Sequence, residues 1–164
     1  VTDPDDADFI YLTWLDARTH SIDTFDQLIE HAARRGLPMI CSNPDRVAPS
    51  EGGLTQAPGS LAERYEAIGG EVTYVGKPHA PIYAACLEVL DGLEPDEICG
   101  IGDSFEHDIK GAKDAGMAAA FVLGGIHAAD FPADASRAAH RRALSRLEEK
   151  HGVVADFAMP GFHL

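Results

Sequence analysis

The chain is poor in basic residues. Of its 164 residues, 13 are Lys or Arg against 27 Asp or Glu, a formal net charge of −14. A surface of that sign repels nucleic acid and anionic membranes. The densest basic segment, Arg137 to Arg146, is interleaved with Ala and followed by Glu148 and Glu149, as on the solvated face of a helix. No nucleic-acid or membrane partner is expected. No apolar run approaches the ~20 residues needed to cross a bilayer, and no stretch has the pattern of a secretory signal, so the expected location is cytoplasmic. Cysteines are few: Cys41, Cys86 and Cys99, with no C-x-x-C spacing. Cys41 and Cys99 lie in apolar strand-like runs and are expected to be buried free thiols in a reducing compartment. Walker A and G-x-S-x-G sequences are missing. Gly100-Ile101-Gly102 starts like a dinucleotide fingerprint, but Asp103 follows at once and Phe105 stands where a third glycine belongs. Neither His107 nor His127 has a partner at metal-ligand spacing, which argues against zinc.

What remains is ordinary globular composition, 45% hydrophobic and 24% charged, enough for one domain or two small ones. Strand-like runs alternate with amphipathic segments. Strands are expected at Ala7–Thr13, Leu37–Cys41, Glu71–Val75, Glu97–Ile101 and Met117–Leu123. Helices are expected from Ser21 or Asp23 to Arg35, stopped by Gly36, and over Ser60–Ile68, His79–Leu90, His107–Ala115 and Ser136–Lys150, the last stopped by Gly152. The segment from Val47 to Gly59, rich in Pro and Gly, reads as a loop, and Val153–Leu164 as a short strand and tail. Alternation of this kind predicts an α/β fold built on a parallel, doubly wound sheet. Val1 to Asp6 reads as a polar linker, and a boundary is expected near Gly69-Gly70.

The chemistry is concentrated at strand ends. Gly102-Asp103-Ser104-Phe105-Glu106-His107-Asp108 follows the run Ile98–Ile101 and opens a helix, with Ser104 placed to cap it. Open α/β sheets keep their ligands at this rim. Two carboxylates there, with Lys77 at the end of another strand, are a set suited to Mg²⁺ and phosphate together. Each residue also has a simpler reading: Asp103 as a cap, Asp108 as a first-turn acid, Lys77 as an exposed strand-end lysine. Ser42-Asn43-Pro44-Asp45 ends the Leu37–Cys41 strand; Asn43 and Asp45 there suit either polar substrate contacts or an Asx turn before proline.

These motifs together resemble the haloacid dehalogenase (HAD) superfamily. Val75-Gly76-Lys77-Pro78 is similar to its third motif and Gly102-Asp103 with Asp108 to its fourth, in the form G-D-x-x-x-x-D. Cys41-Ser42-Asn43-Pro44-Asp45 resembles the cap signature of class IIA members, the NagD-like phosphatases. Ala115-Gly116 and Val122–His127 match the end of that core. The resemblance implies a Mg²⁺-dependent phosphatase acting on a small phosphorylated substrate, a sugar phosphate or nucleotide, through an aspartyl-phosphate. It implies that Asp103 is the metal ligand, that Lys77 and Asp108 are catalytic, with Asp108 supporting the metal or pairing with Lys77, and that Asn43, Asp45 and Ser104 contact substrate. The family's first motif, D-x-D after a strand, has no counterpart; Asp3-Pro4-Asp5 has the spacing but no preceding strand. The second motif is missing as well. By this resemblance residues 1–70 are part of a cap and 71–164 the C-terminal half of the core, in a fragment that is inactive alone, with open strand edges suited to homodimerisation. Two alternatives stand beside it. One is a non-catalytic remnant that binds Mg²⁺, phosphate or a protein. The other is an unrelated α/β module, which would place Lys77 and Asp103 far apart.

Overall fold

In a computed structural model, residues 4–15, 21–50 and 53–161 are described. Val1 to Asp3 of the expected linker lie outside them, as do Glu51 and Gly52 of the expected loop and the last three residues of the tail. The chain divides into two compact units, Val1–Gly76 and Lys77–Leu164.

The first unit carries a three-stranded parallel sheet: β1 (Ile10–Leu12), β2 (Met39–Cys41) and β5 (Val72–Tyr74), in the order β1-β2-β5. The pairing of Val72–Tyr74 with Met39–Cys41 explains why the unit ends at Gly76 and not at the Gly69-Gly70 boundary read from the sequence. Between β1 and β2, a short 3-10 turn capped by Ser21 leads into α1 (Asp26–Arg35). Gly36 ends that helix at φ 68°, the left-handed conformation that glycine adopts without a Cβ penalty. α2 (Pro58–Ala67) precedes β5. The core is Leu12, Ile22, Ile29, Leu37, Met39, Cys41, Leu61 and Tyr65. Tyr65 is fully buried and its hydroxyl donates to the Leu37 carbonyl at 2.5 Å, so the ring's polar end is satisfied.

The expected loop from Val47 to Gly59 is largely a hairpin. β3 (Val47–Ser50) pairs antiparallel with β4 (Gly53–Gln56), with Ser50 opposite Gly53. Pro49 misled the sequence reading: in a two-stranded sheet both strands are edges, and an edge tolerates a residue that cannot donate.

The second unit is again parallel, in the order β6 (Cys99–Gly102), β7 (Ala118–Val122), β8 (Phe157–Met159). α3 (Ala80–Val89) precedes β6. A wide five-residue π-turn, Phe105–Ile109, runs into α4 (Lys110–Asp114), and α5 (Arg137–His151) runs from a Ser136 cap to Gly152. Phe105, Ile109, Ala119 and Phe121 are buried at its centre, with the Phe105 and Phe121 rings 4.6 Å apart. Asp156 pins the last strand: its carboxylate accepts from the Ala119 N–H at 2.8 Å and pairs with Lys113 at 2.9 Å. The same two partners, Lys113 first, hold its carboxyl below the usual range.

Cys41 is buried as expected, and burial pushes its thiol up. Cys99 is exposed, contrary to the sequence reading. Its strand bonds only to β7 among the described residues, so a run that looks interior by composition sits at a sheet edge. Among the described residues, no helix is long and apolar enough to cross a membrane.

Candidate active site

The site is built where β6 ends. Gly102 closes the strand, and the chain enters the π-turn through Asp103 and Ser104. The Ser104 hydroxyl accepts from the His107 N–H at 3.2 Å, as an N-cap. The Ser104 carbonyl accepts twice, from Asp108 N–H at 2.9 Å and Ile109 N–H at 3.0 Å. The second bond spans five residues and widens the turn. Such single π-turns occur often at functional sites.

This turn carries Asp108 back over the strand end. Its Oδ2 accepts from the backbone N–H groups of Asp103 and Ser104, both at 3.1 Å. A Cβ on residue 102 would fall on the Asp108 carboxylate, so the fold-back requires glycine there. Asp108 Oδ1 accepts from Lys77 Nζ. Asp108 is 9% exposed and Lys77 48%, so a nearly buried anion is met by a half-exposed cation and two amides. A buried carboxylate is tolerated when its lone pairs are satisfied in this way. With both oxygens engaged, Asp108 fixes the shape of the turn and the position of Lys77.

Asp103 is arranged differently. Its Oδ2 accepts from the Ile126 N–H at 2.9 Å, and its Oδ1 receives no hydrogen bond among the described residues. Mg²⁺ characteristically takes one or two protein carboxylates and fills its other positions with water and substrate phosphate. One open carboxylate oxygen, at a turn whose other carboxylate holds an ammonium, fits that habit. Among the described residues no group of three or more His, Cys, Asp or Glu side chains converges for a metal, so a cation here would take most of its ligands from elsewhere.

Tyr83 flanks the turn. Its hydroxyl lies 3.4 Å from the His107 carbonyl. Burial, reinforced by the Asp108 charge, pushes it up to about 12, so it stays a donor at neutral pH. His127 packs near Phe105 and Phe121, with Nδ1 3.5 Å from Asp130.

In the first unit, Asn43 Oδ1 accepts from the Asp45 N–H at 3.2 Å, the Asx-turn geometry anticipated before Pro44. The Asn43 carbonyl accepts from the Cys41 thiol at 3.3 Å. Gly59 and Gly76 press against the backbone of this turn, and neither has room for a Cβ.

The structure therefore brings Lys77, Asp103, Ser104 and Asp108 together in one unit and places Asn43 and Asp45 in the other. Lys77 and Asp103 are linked through Asp108, against the alternative that would have separated them. Gly125 and Ile126, which hold Asp103, were legible in the sequence only as the end of a strand and of the family's core, with no role at the site. The paired glycines after Val122 and Leu123 were the available signal.

Comparison with known proteins gives a consistent result. The sequence pattern of the HAD-hydrolase-like family matches residues 74–154. A dihydroxyacetone phosphatase from Corynebacterium glutamicum (strain R) is 31% identical over 122 residues, 74% of this chain and 44% of that protein. An acid sugar phosphatase from Staphylococcus aureus (strain USA300) is 32% identical over 94 residues, 57% of this chain and 36% of the relative. The crystal structure of a haloacid dehalogenase-like hydrolase from Brucella suis 1330 superposes with a TM-score of 0.74 at 29% identity. It covers 99% of this chain and 58% of that one. The p-nitrophenyl phosphatase from Archaeoglobus fulgidus gives 0.70 at 28% identity, covering 98% and 56%. The chain thus spans less than half the length of these curated relatives and a little over half of the solved ones. Sequence pattern, relatives and fold agree with the strand-end carboxylates and their lysine: the chain belongs to the haloacid dehalogenase superfamily of hydrolases.

Proposed function

We propose that this chain contributes the metal-binding and lysine-bearing part of a Mg²⁺-dependent phosphatase of the class IIA type, acting on a small phosphate monoester such as a sugar phosphate or nucleotide. The observation that carries the reading is the division of labour between two carboxylates. Asp108 is saturated by Lys77 and two amides, while Asp103 keeps one oxygen open. Asp103 would hold Mg²⁺, which when bound would neutralise charge on the phosphoryl group. Lys77, held by Asp108, would offer a compact positive charge to the phosphate and its attacking group. Ser104, whose hydroxyl oxygen caps the turn, is a proposed substrate contact. Asn43 and Asp45 are proposed substrate contacts. The relatives named dihydroxyacetone phosphatase, acid sugar phosphatase and p-nitrophenyl phosphatase support the substrate class. In this reading the aspartate nucleophile lies outside these 164 residues, Val1–Gly76 belongs to a cap and Lys77–Leu164 to the core. A cytoplasmic location accords with it.

The test is phosphate release from a panel of sugar phosphates, nucleotides and p-nitrophenyl phosphate, by the complete gene product with Mg²⁺. Turnover is expected, with loss on adding a chelator and in Asp103→Asn. Full activity of Asp103→Asn would remove Asp103 from the metal site. No turnover on any phosphate ester would favour a remnant that only binds.

A further inference from the structure

Two adjacent glycines follow β7, and their surroundings differ completely. Gly124 has an ordinary φ of −88°, and a Cβ there would meet nothing. Gly125 has φ 63°, and a Cβ there would fall on Asp103 Oδ2, nearer than any real carbon–oxygen contact. The next residue, Ile126, donates its N–H to that same oxygen at 2.9 Å. The carboxylate is thus held on one oxygen by a bond from a residue 23 positions away, through a gap that only glycine leaves open.

We propose that the Gly125-Ile126 turn is the positioning element for the metal carboxylate: it fixes the Asp103 side chain by one oxygen so that the other, Oδ1, faces a divalent cation. The inference rests on the reading of Asp103 as the Mg²⁺ ligand. Glycine serves two needs at residue 125. It adopts the left-handed conformation, and it lets the backbone come within hydrogen-bonding reach of a side chain across the strand ends. A carboxylate fixed in this way loses little side-chain freedom when a cation arrives. Groups that orient a metal ligand without touching the metal commonly change affinity by about 10–100-fold when removed.

The test uses the complete gene product, with Mn²⁺ as probe. Binding is followed by the free-ion paramagnetic resonance signal, and the metal-free chain is followed by amide exchange at Ile126. Gly125→Ala is expected to weaken Mn²⁺ binding by about 10–100-fold and to release the Ile126 amide to solvent, while the β7 amides stay protected. Gly124→Ala should match wild type in both. Gly152→Ala serves as control for backbone strain alone: its φ is 65° but the space around it is open, so Mn²⁺ binding should not change. Ile126→Pro removes the donor without adding bulk at residue 125 and should also weaken Mn²⁺. Wild-type Mn²⁺ affinity in Gly125→Ala and Ile126→Pro would overturn the inference, as would an Ile126 amide equally protected in Gly125→Ala. Asp103→Ala separates the two claims. If it binds Mn²⁺ as wild type does, the reading of Asp103 as ligand fails, and the positioning claim for the metal falls with it. If it loses Mn²⁺ while the Gly125 and Ile126 variants do not, only the positioning claim fails.

Discussion

Two parallel strands in this chain end in the same style, a tight turn followed by a carboxylate, yet they use their side chains in opposite ways. After β2, the Asn43 side chain accepts an amide two residues on and closes a local Asx turn. After β6, Asp108 accepts amides four and five residues back and also reaches Lys77, 31 residues away. Asp103 is held by Ile126, 23 residues ahead. The first turn is assembled from its own sequence and shaped by the glycines that press on it. The second exists only once three segments of the unit have met. A strand-end carboxylate becomes a chemical site when its partners are distant in sequence and one of its oxygens is left over.

The sharpest way to break this contrast is Asp108→Ala. It leaves the Asp103 and Ser104 backbone N–H groups without their acceptor, and it should destabilise the second unit by about 2 kcal/mol, since a buried donor left unsatisfied costs roughly 1–3 kcal/mol. Urea denaturation read through the exchange of β6 and β7 amides measures it. A loss under half of that would mean the carboxylate is dispensable to the turn. Asn43→Ala should cost about 1 kcal/mol or less, because only one neutral local bond is lost, and the loss should appear in β2 amides alone. Effects of equal size would mean that the two turns depend on their side chains alike.

The smallest effect concerns pH. His151 stacks on Phe105 of the π-turn, ring centroids 5.8 Å apart. Burial first, then the Lys150 charge and His127, lower its pKa from 6.5, with Glu106 opposing. The unfolded chain therefore takes this proton at a higher pH than the native one does. Its contribution is complete above about pH 6.5 and is lost as pH falls through the native value. His151→Phe keeps the stack and removes the titration, so the decline in stability between neutral and mildly acid pH should be shallower. An unchanged slope would assign the decline to other groups.

Much of the fold was legible because its signals are local. Gly36 and Gly152 stop helices, Ser21, Ser104 and Ser136 cap them, and the apolar runs became strands close to where periodicity put them. The hairpin at Val47–Gln56 was hidden by Pro49, which is harmless on an edge. Cys99 was misplaced because an apolar run does not say whether a strand has one neighbour or two. At the site, Lys77, Asp103, Ser104 and Asp108 could be picked from sequence by residue type and order. Their division into a saturated carboxylate and an open one could not, since it depends on backbone amides that every residue possesses. Gly125 and Ile126 escaped for the same reason: one contributes an absent methyl group and the other an N–H.

The five-residue turn at Phe105–Ile109 has one more consequence. Phe105 and Ile109, at its two ends, are both anchored in the core, and Asp108 reaches its amides because the turn holds one residue more than an α-helical turn would. Deleting any single residue between Ser104 and Asp108 would let the segment tighten into ordinary helix. The fold would have a regular alternative, but the carboxylate would rotate away from Lys77. The site is thus protected by a count as well as by chemistry: it is more vulnerable to a three-base deletion than to many substitutions, and such a lesion would leave Lys77, Asp103, Ser104 and Asp108 in the sequence while dispersing them in space.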